Sequence, residues 1–254
     1  MTDRITWLGH STVVVEIDGM RVLTDPLLRR RVLLLRRDGP VESGGLDGLD
    51  AILISHLHYD HLDAASLRRL DRATTVIVPR GGGRILTRLG FATVVEVVED
   101  EEVKLGNLTL RPVHAEHGSK RLLGAASQAL GFIVSGSKTV YFLGDTDLFP
   151  GMSDLPRADV ALVPIWGWGP RVGSGHLDPR RAAEALRRLR PGLALPIHWG
   201  TYYPVTSRPP SRAFLSTPVD DFLRAAAETV PDVAVLVLPV GGNVELDAAQ
   251  RDSE

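Results

Sequence analysis

Apolar residues along this chain come in short runs, most of them rich in β-branched or aromatic side chains and closed off by Gly, Pro or Asp. Twelve such runs read as strands: "RITWLG", "TVVVEI", "RVLT", "AILIS", "TTVIVP", "TVVEV", "LTLRPV", "ALGFIV", "KTVYFLG", "DVALVPI", "LALPIHW" and "VAVLVLP". Helical patterning is rarer. It covers Asp63 to Leu70, Gly82 to Leu89, Pro179 to Leu189, which opens with an Asp-Pro cap and first-turn proline, and Val219 to Glu228, preceded by the cap-like "STP". Many strands with a few helices between them predict an α/β protein in which two packed sheets carry helices on their outer faces. No repeat, linker or low-complexity tract divides the chain, so a single domain over residues 1–254 is expected.

Composition narrows the options. The apolar runs fall far short of the roughly 20 residues a membrane span needs, and "MTDRITWLGH" lacks a signal-peptide pattern, so a cytoplasmic location is the expectation. The chain has no cysteine, which removes disulfides, thiolate ligands and a cysteine nucleophile. Any metal must therefore sit on nitrogen and oxygen. A net charge of -2 carries no global footprint for nucleic acid, and none is expected as a partner. "LLRRRVLLLRRDG" at 27–39 is a local exception, with five arginines among apolar residues. It reads as a surface loop or helix with solvated arginines, or as a patch facing an anion or a lipid.

The chemistry concentrates in "ISHLHYDHLD", residues 54–63, just after an apolar strand. In extended backbone, alternate side chains share a face, so His56 and His58 point the same way while Asp60 and His61 fall in the following turn. That spacing fits a site for two metals. Further candidates also stand at strand exits: His114 and His117 after "LTLRPV", Asp145 after "KTVYFLG", and His198 after "LALPI". Gly144 permits close backbone approach beside Asp145. Asp147 reads as a turn residue, Asp25 in "TDP" as a support or a turn former, and His10 in "LGHST" as a hydrogen-bonding support for a ligand or loop.

His56, His58, Asp60 and His61 resemble the signature of the metallo-β-lactamase superfamily. "WLGHSTVVVEIDGMRVLTDP", "YFLGDTDLF" and "IHWGTYYP" are similar to the branch holding N-acylphosphatidylethanolamine-hydrolysing phospholipase D and ascorbate-6-phosphate lactonase. The resemblance runs from about Ile5 to Val240 and implies an αββα four-layer sandwich of two mixed sheets. It also implies ligands: His56, His58 and a third histidine on one metal, Asp60, His61 and His198 on the other, with Asp145 bridging. "HAEHGSKR" fits the family's Pro-Ala-x-His segment with His117 as that third ligand and Arg121 as the arginine that follows it. His176, in "GSGHLDP", matches a His-x-x-Pro segment of relatives and either binds substrate, donates a proton to the leaving group, or caps the next helix.

Nitrogen and oxygen ligands suit Zn, Fe or Mn. Redox diiron members commonly carry glutamate where this chain has His58, so two Zn2+ are expected, with Mn2+ or Fe2+ as alternatives. Two such ions hold a hydroxide, polarise the scissile group and stabilise the leaving oxygen, with Asp60 orienting the nucleophile. The expected activity is metal-dependent hydrolysis of a small or lipid-like ester, a phosphodiester first and a lactone second. A metal-containing binding module without catalysis is the competing class. Arg121, Trp166, Trp168 and Tyr202 are the candidate substrate contacts, and oligomeric state is left open.

Overall fold

The computed structural model describes residues 2–42, 44–118, 127–167, 173–205 and 212–246. Two seven-stranded mixed sheets dominate it. In spatial order the first sheet comprises Asn243–Glu245, Arg4–Gly9, Thr12–Ile17, Met20–Thr24, Ala51–Leu53, Thr75–Pro79 and Val94–Val97. The second comprises Ala234–Val235, Leu193–Ile197, Val160–Pro164, Thr139–Phe142, Leu130–Ser135, Leu108–His114 and Val103–Leu105. Among the described residues four α-helices accompany them: α1 (Ala64–Leu67), α2 (Gly83–Arg88), α3 (Pro179–Leu189) and α4 (Arg212–Thr229).

The near-continuous apolar runs have a direct cause. Strands in the middle of these sheets are covered on both faces, so strict alternation with polar residues is lost. In Thr12–Ile17, Val13, Val15 and Ile17 face the other sheet, while Val14 faces the layer of α1 and α2. In Val160–Pro164, Val160 and Leu162 join the layer between the sheets, and Ala161 and Val163 pack with α3 and α4. Three apolar layers result, which is the αββα sandwich of the metallo-β-lactamase fold.

Five short strands escaped the sequence reading in whole: Val103–Leu105, Asn243–Glu245, Tyr202–Pro204 and the two of the hairpin Arg31–Val32/Leu35–Arg37. The last three form a separate sheet, so the arginine-rich segment is a β-hairpin and not a helix. "VAVLVLP" is strand only at Ala234–Val235. Its remaining apolar residues cross from one sheet to the other, where Gly241 N–H donates to Trp7 O and Trp7 N–H to Gly242 O, with Leu238 buried between the sheets. Helix α4 begins at Arg212, well before Val219, and carries Pro218 inside it. A proline there removes one backbone donor, yet buried Leu215, Val219 and Phe222 hold the segment helical through packing.

Strand direction positions the site. Met20–Thr24, Ala51–Leu53 and Thr75–Pro79 run parallel in one sheet, and Thr139–Phe142, Val160–Pro164 and Leu193–Ile197 run parallel in the other. The segments after their carboxyl ends carry Asp25, His56, Asp145 and His198. Open sheets bind ligands at that end. The sheets are joined there by backbone bonds from His198 N to His10 O (3.0 Å) and from Leu130 N to Ser55 O (2.9 Å).

Candidate metal centre

Seven of the eight histidines converge at this edge, together with Asp25, Asp60 and Asp145. His56, His58 and His117 form one group, and His10, Asp60, His61 and His198 another. Asp145 lies between them: its Oδ2 is 3.1 Å from His61 Nε2, 3.3 Å from His198 Nε2, 3.5 Å from His176 Nε2 and 4.0 Å from His56 Nε2. Every sequence-predicted ligand is thus in the cluster. His114 is not. It stands on a strand between Glu99 and Glu116, with its ring edge against Phe149.

Proton bookkeeping exposes what the three-histidine group is built for. The Ser55 hydroxyl donates its one hydrogen to Asp25 Oδ2, so at 3.0 Å from His56 Nδ1 it accepts. That leaves His56 Nε2 with a bare lone pair. His117 Nδ1 donates to Gly175 O at 2.6 Å, which bares its Nε2 as well. Both bare nitrogens face His58 Nδ1, at 3.0 and 3.1 Å, and one proton on that atom serves only one of them. Lone pairs aimed at one another are repulsive unless a cation lies among them.

Charge puts both groups to the same test. Burial and then the proximity of His61 hold the His56 imidazole well below its usual range, and burial takes His117 down to about 4. His61 goes the other way. Burial opposes its charge, but Asp145, Asp60 and Asp25 outweigh burial and raise it well above the ordinary histidine range. Conversely, burial opposes ionisation of Asp60 and Asp145, yet the neighbouring imidazoles, led by His61 and His198 respectively, hold both well below the carboxylate range. The pocket is therefore an anionic cavity that draws in positive charge. Asp145 Oδ1 is buried without a hydrogen-bond partner among the described residues, as a ligand oxygen would be. Imidazole nitrogens with carboxylate oxygens fit a borderline divalent ion such as zinc, manganese or iron.

Three supports find their partners in the structure: Asp25 and His10, read from the sequence as candidate supports, and Asp147, read as a turn residue. Asp25 is fully buried; its Oδ1 accepts Ser55 N–H at 2.7 Å and its Oδ2 accepts His61 Nδ1–H at 2.6 Å, so one carboxylate orients both halves. His10 Nε2 lies 3.4 Å from Asp60 Oδ2, while burial followed by His198 takes this imidazole down to about 3. Asp147 is a brace: it accepts Gly175 N–H and pairs with Arg181 of α3, which secures the loop that holds His117. His10, Asp25 and His198 all have positive φ, strain of the kind that surrounding structure sustains at functional sites. Gly144, at φ +62°, has no room for a side chain, since a Cβ would lie 2.8 Å from Ser55 Cβ.

His58, Asp60, His117 and His176 are half-buried and form the open side; His10, His56, His61 and His198 are closed off beneath them. The aromatic candidates behave differently. Trp166 is buried edge-on to Phe214, 5.1 Å between ring centres, and Tyr202 is buried with its hydroxyl donating to Arg29 O. Trp199 stacks on Trp7 at 5.5 Å. Arg121 and Trp168 lie outside the described residues.

Residues 20–199 match the family model described as the beta-lactamase superfamily domain. A UPF0173 metal-dependent hydrolase of Methanopyrus kandleri is 32% identical over 255 residues, covering 95% of this chain and 99% of the relative. N-acyl-phosphatidylethanolamine-hydrolyzing phospholipase D 1 of Caenorhabditis elegans is 33% identical over 226 residues, covering 78% of this chain and 64% of that protein. Among solved structures, the metallo hydrolase Igni18 of Ignicoccus hospitalis superposes with a TM-score of 0.71 at 25% identity, covering 97% of this chain and 99% of its own.

Proposed function

This chain belongs to the metallo-β-lactamase superfamily of metal-dependent hydrolases, and on that premise we propose that it cleaves a phosphodiester with two zinc ions. The ligands in this reading are His56, His58 and His117 for one ion and Asp60, His61 and His198 for the other, with Asp145 shared. One observation carries it. Asp145 Oδ2 is approached by His56 from one group and by His61 and His198 from the other, as a bridge between two neighbouring cations would be. The chain is read as one such domain over 1–254.

Bound cations supply Lewis acidity, which polarises the ester and lets water attack as hydroxide near neutral pH. The side chains do the rest. Asp60, on the open side, accepts a hydrogen bond from the attacking water and takes its proton, and His10 Nε2 fixes the orientation of that carboxylate. His176 is the general acid. Its Nε2 lies 3.5 Å from Asp145 Oδ2 on the open side, from which it would deliver a proton to the leaving oxygen. Arg121 and Trp168 remain the proposed contacts for the anionic and apolar parts of the substrate. Trp166 and Tyr202 are buried and so are left out of the proposed substrate contacts.

The preference for a phosphodiester over a lactone rests on the C. elegans relative, whose name denotes phospholipase D action on N-acyl-phosphatidylethanolamine. The test is hydrolysis of an aromatic phosphodiester and an aliphatic lactone by the zinc-loaded protein, with Asp60→Asn as control. Turnover of the phosphodiester that falls about a hundredfold or more in the variant is expected. Turnover of the lactone alone would move the reaction to a carbonyl centre with the same ligands. A protein that holds two zinc ions and turns over neither would favour the non-catalytic binding module.

A further inference from the structure

The hairpin Arg31–Val32/Leu35–Arg37 has two unlike faces. Val32 and, in part, Leu35 pack inward on Leu27 and Tyr202. Outward, Arg31 stands opposite Arg36 in the register, a like-charge pairing that weakens a hairpin. Arg30 is exposed beside them, and among the described residues none of these three arginines makes an ion pair. The tip is Leu33 and Leu34, which are 69% and 77% exposed. Val205, 44% exposed, lies beside them, its N–H donating to Leu34 O at 2.6 Å.

Leu33 has φ +47°, a conformation that asparagine or glycine adopts at much lower cost. Hairpin stability therefore accounts for neither the leucines nor the facing arginines. An apolar tip ringed by cations matches a surface with an anionic outer layer and an apolar layer beneath. The chain as a whole carries a net charge of -2, so the attraction has to be local.

We infer that residues 30–36 with Val205 form a shallow docking element for an anionic lipid surface: leucines enter the interface while Arg30, Arg31 and Arg36 stay at the headgroups. The element is rooted next to the metal centre. Tyr202 O–H donates to Arg29 O and Asp38 N–H to Thr201 O, which ties the hairpin to the segment that carries His198. Docking would bring the segment that carries His198 close to a membrane surface. The inference stands apart from the choice of reaction, since lipid binding and hydrolysis are read separately.

The experiment is vesicle flotation of the full metal-loaded chain, with phosphatidylcholine alone or with a minority of phosphatidylglycerol. Two variants accompany it: Leu33→Asn with Leu34→Asn, and Arg30→Gln with Arg31→Gln and Arg36→Gln. The expected result is recovery with the anionic vesicles only, weakened by salt. The leucine variant should lose roughly tenfold or more in partitioning, and each arginine removed about fivefold. Thermal unfolding checks that the leucine variant is no less stable than the parent. Equal recovery with both vesicle types, or unchanged flotation of both variants, overturns the inference. So does a parent that sediments as a dimer and a leucine variant that sediments as a monomer, which would assign the tip to a second copy of the chain.

Discussion

The two halves of the candidate metal centre are built on different principles. His56, His58 and His117 form a neutral, partly open triad, oriented by Ser55 and by the carbonyl of Gly175. His61 and His198 sit with His10 in a deeper half whose open edge is Asp60, where Asp25 holds His61 and a backbone bond joins His198 to His10. One half is a coordination geometry attached to the edge of the fold. The other adds a fully buried ion pair, His61 with Asp25, to the backbone bonds that join the sheets beside both halves. A ligand change should therefore cost mainly metal in the open half, and both metal and stability in the deep half.

The strongest way to break this comparison is to remove what the halves share. Asp145→Ala should lower kcat/KM by about a thousandfold or more, the scale of losing a preorganised charged group, and metal analysis should find both ions weakened. A variant that kept one ion at full affinity would show that Asp145 serves only one half.

Matched truncations sharpen the contrast in the metal-free protein. His61→Ala leaves Asp25 buried without its imidazolium partner, and urea unfolding should register a loss of about 3–5 kcal/mol. His58→Ala, at a half-buried position, should cost less than about 1 kcal/mol while still abolishing binding of one ion. Equal losses would erase the distinction between the halves.

Asp25→Asn is subtler, because the side chain keeps its shape and loses only its charge. Metal affinity should fall about 10- to 100-fold, as when other partners of metal-binding histidines are changed, and competition with a chelator measures it. A loss confined to one ion would mean that Asp25 supports His61 but not His56.

The gentlest probe is pH. In the metal-free protein His10 and His117 are held down to about 3 and about 4, largely by burial, so between pH 6.5 and 4 the unfolded chain binds more protons than the folded one. Stability should therefore fall as pH drops through that window, by about 1.4 kcal/mol per pH unit for each such histidine. His61, raised in the folded state, is protonated in both states there and leaves the slope unchanged. A melting temperature flat from pH 6.5 to 4 would contradict the buried neutral state of these two rings.

Much of this was legible in the chain itself. His56, His58, Asp60 and His61 fall within six residues, so their relative placement follows from local geometry, a strand exit and one turn, and the motif identifies itself. The apolar runs likewise disclosed the strands buried on both faces. The short edge strands were hidden because so few of their residues are covered: Val103–Leu105 and Asn243–Glu245 contain no fully buried residue to mark them. The arginine-rich segment was ambiguous for a related reason, since the apolar inward face of its hairpin is only Val32 and, in part, Leu35. The distant supports depended on pairings that no local pattern encodes. Asp25 meets His61 across 36 positions because parallel strands deliver both to one edge, and the His10 carbonyl meets the His198 amide because the two sheets close on each other there. The sequence by itself determined which residues could bind metal, since that is a matter of side-chain chemistry and short spacing. Which carboxylates and imidazoles hold those residues in place was decided by the tertiary structure, because a hydrogen bond needs its partners within about 3 Å and only sheet packing brings such distant positions that close.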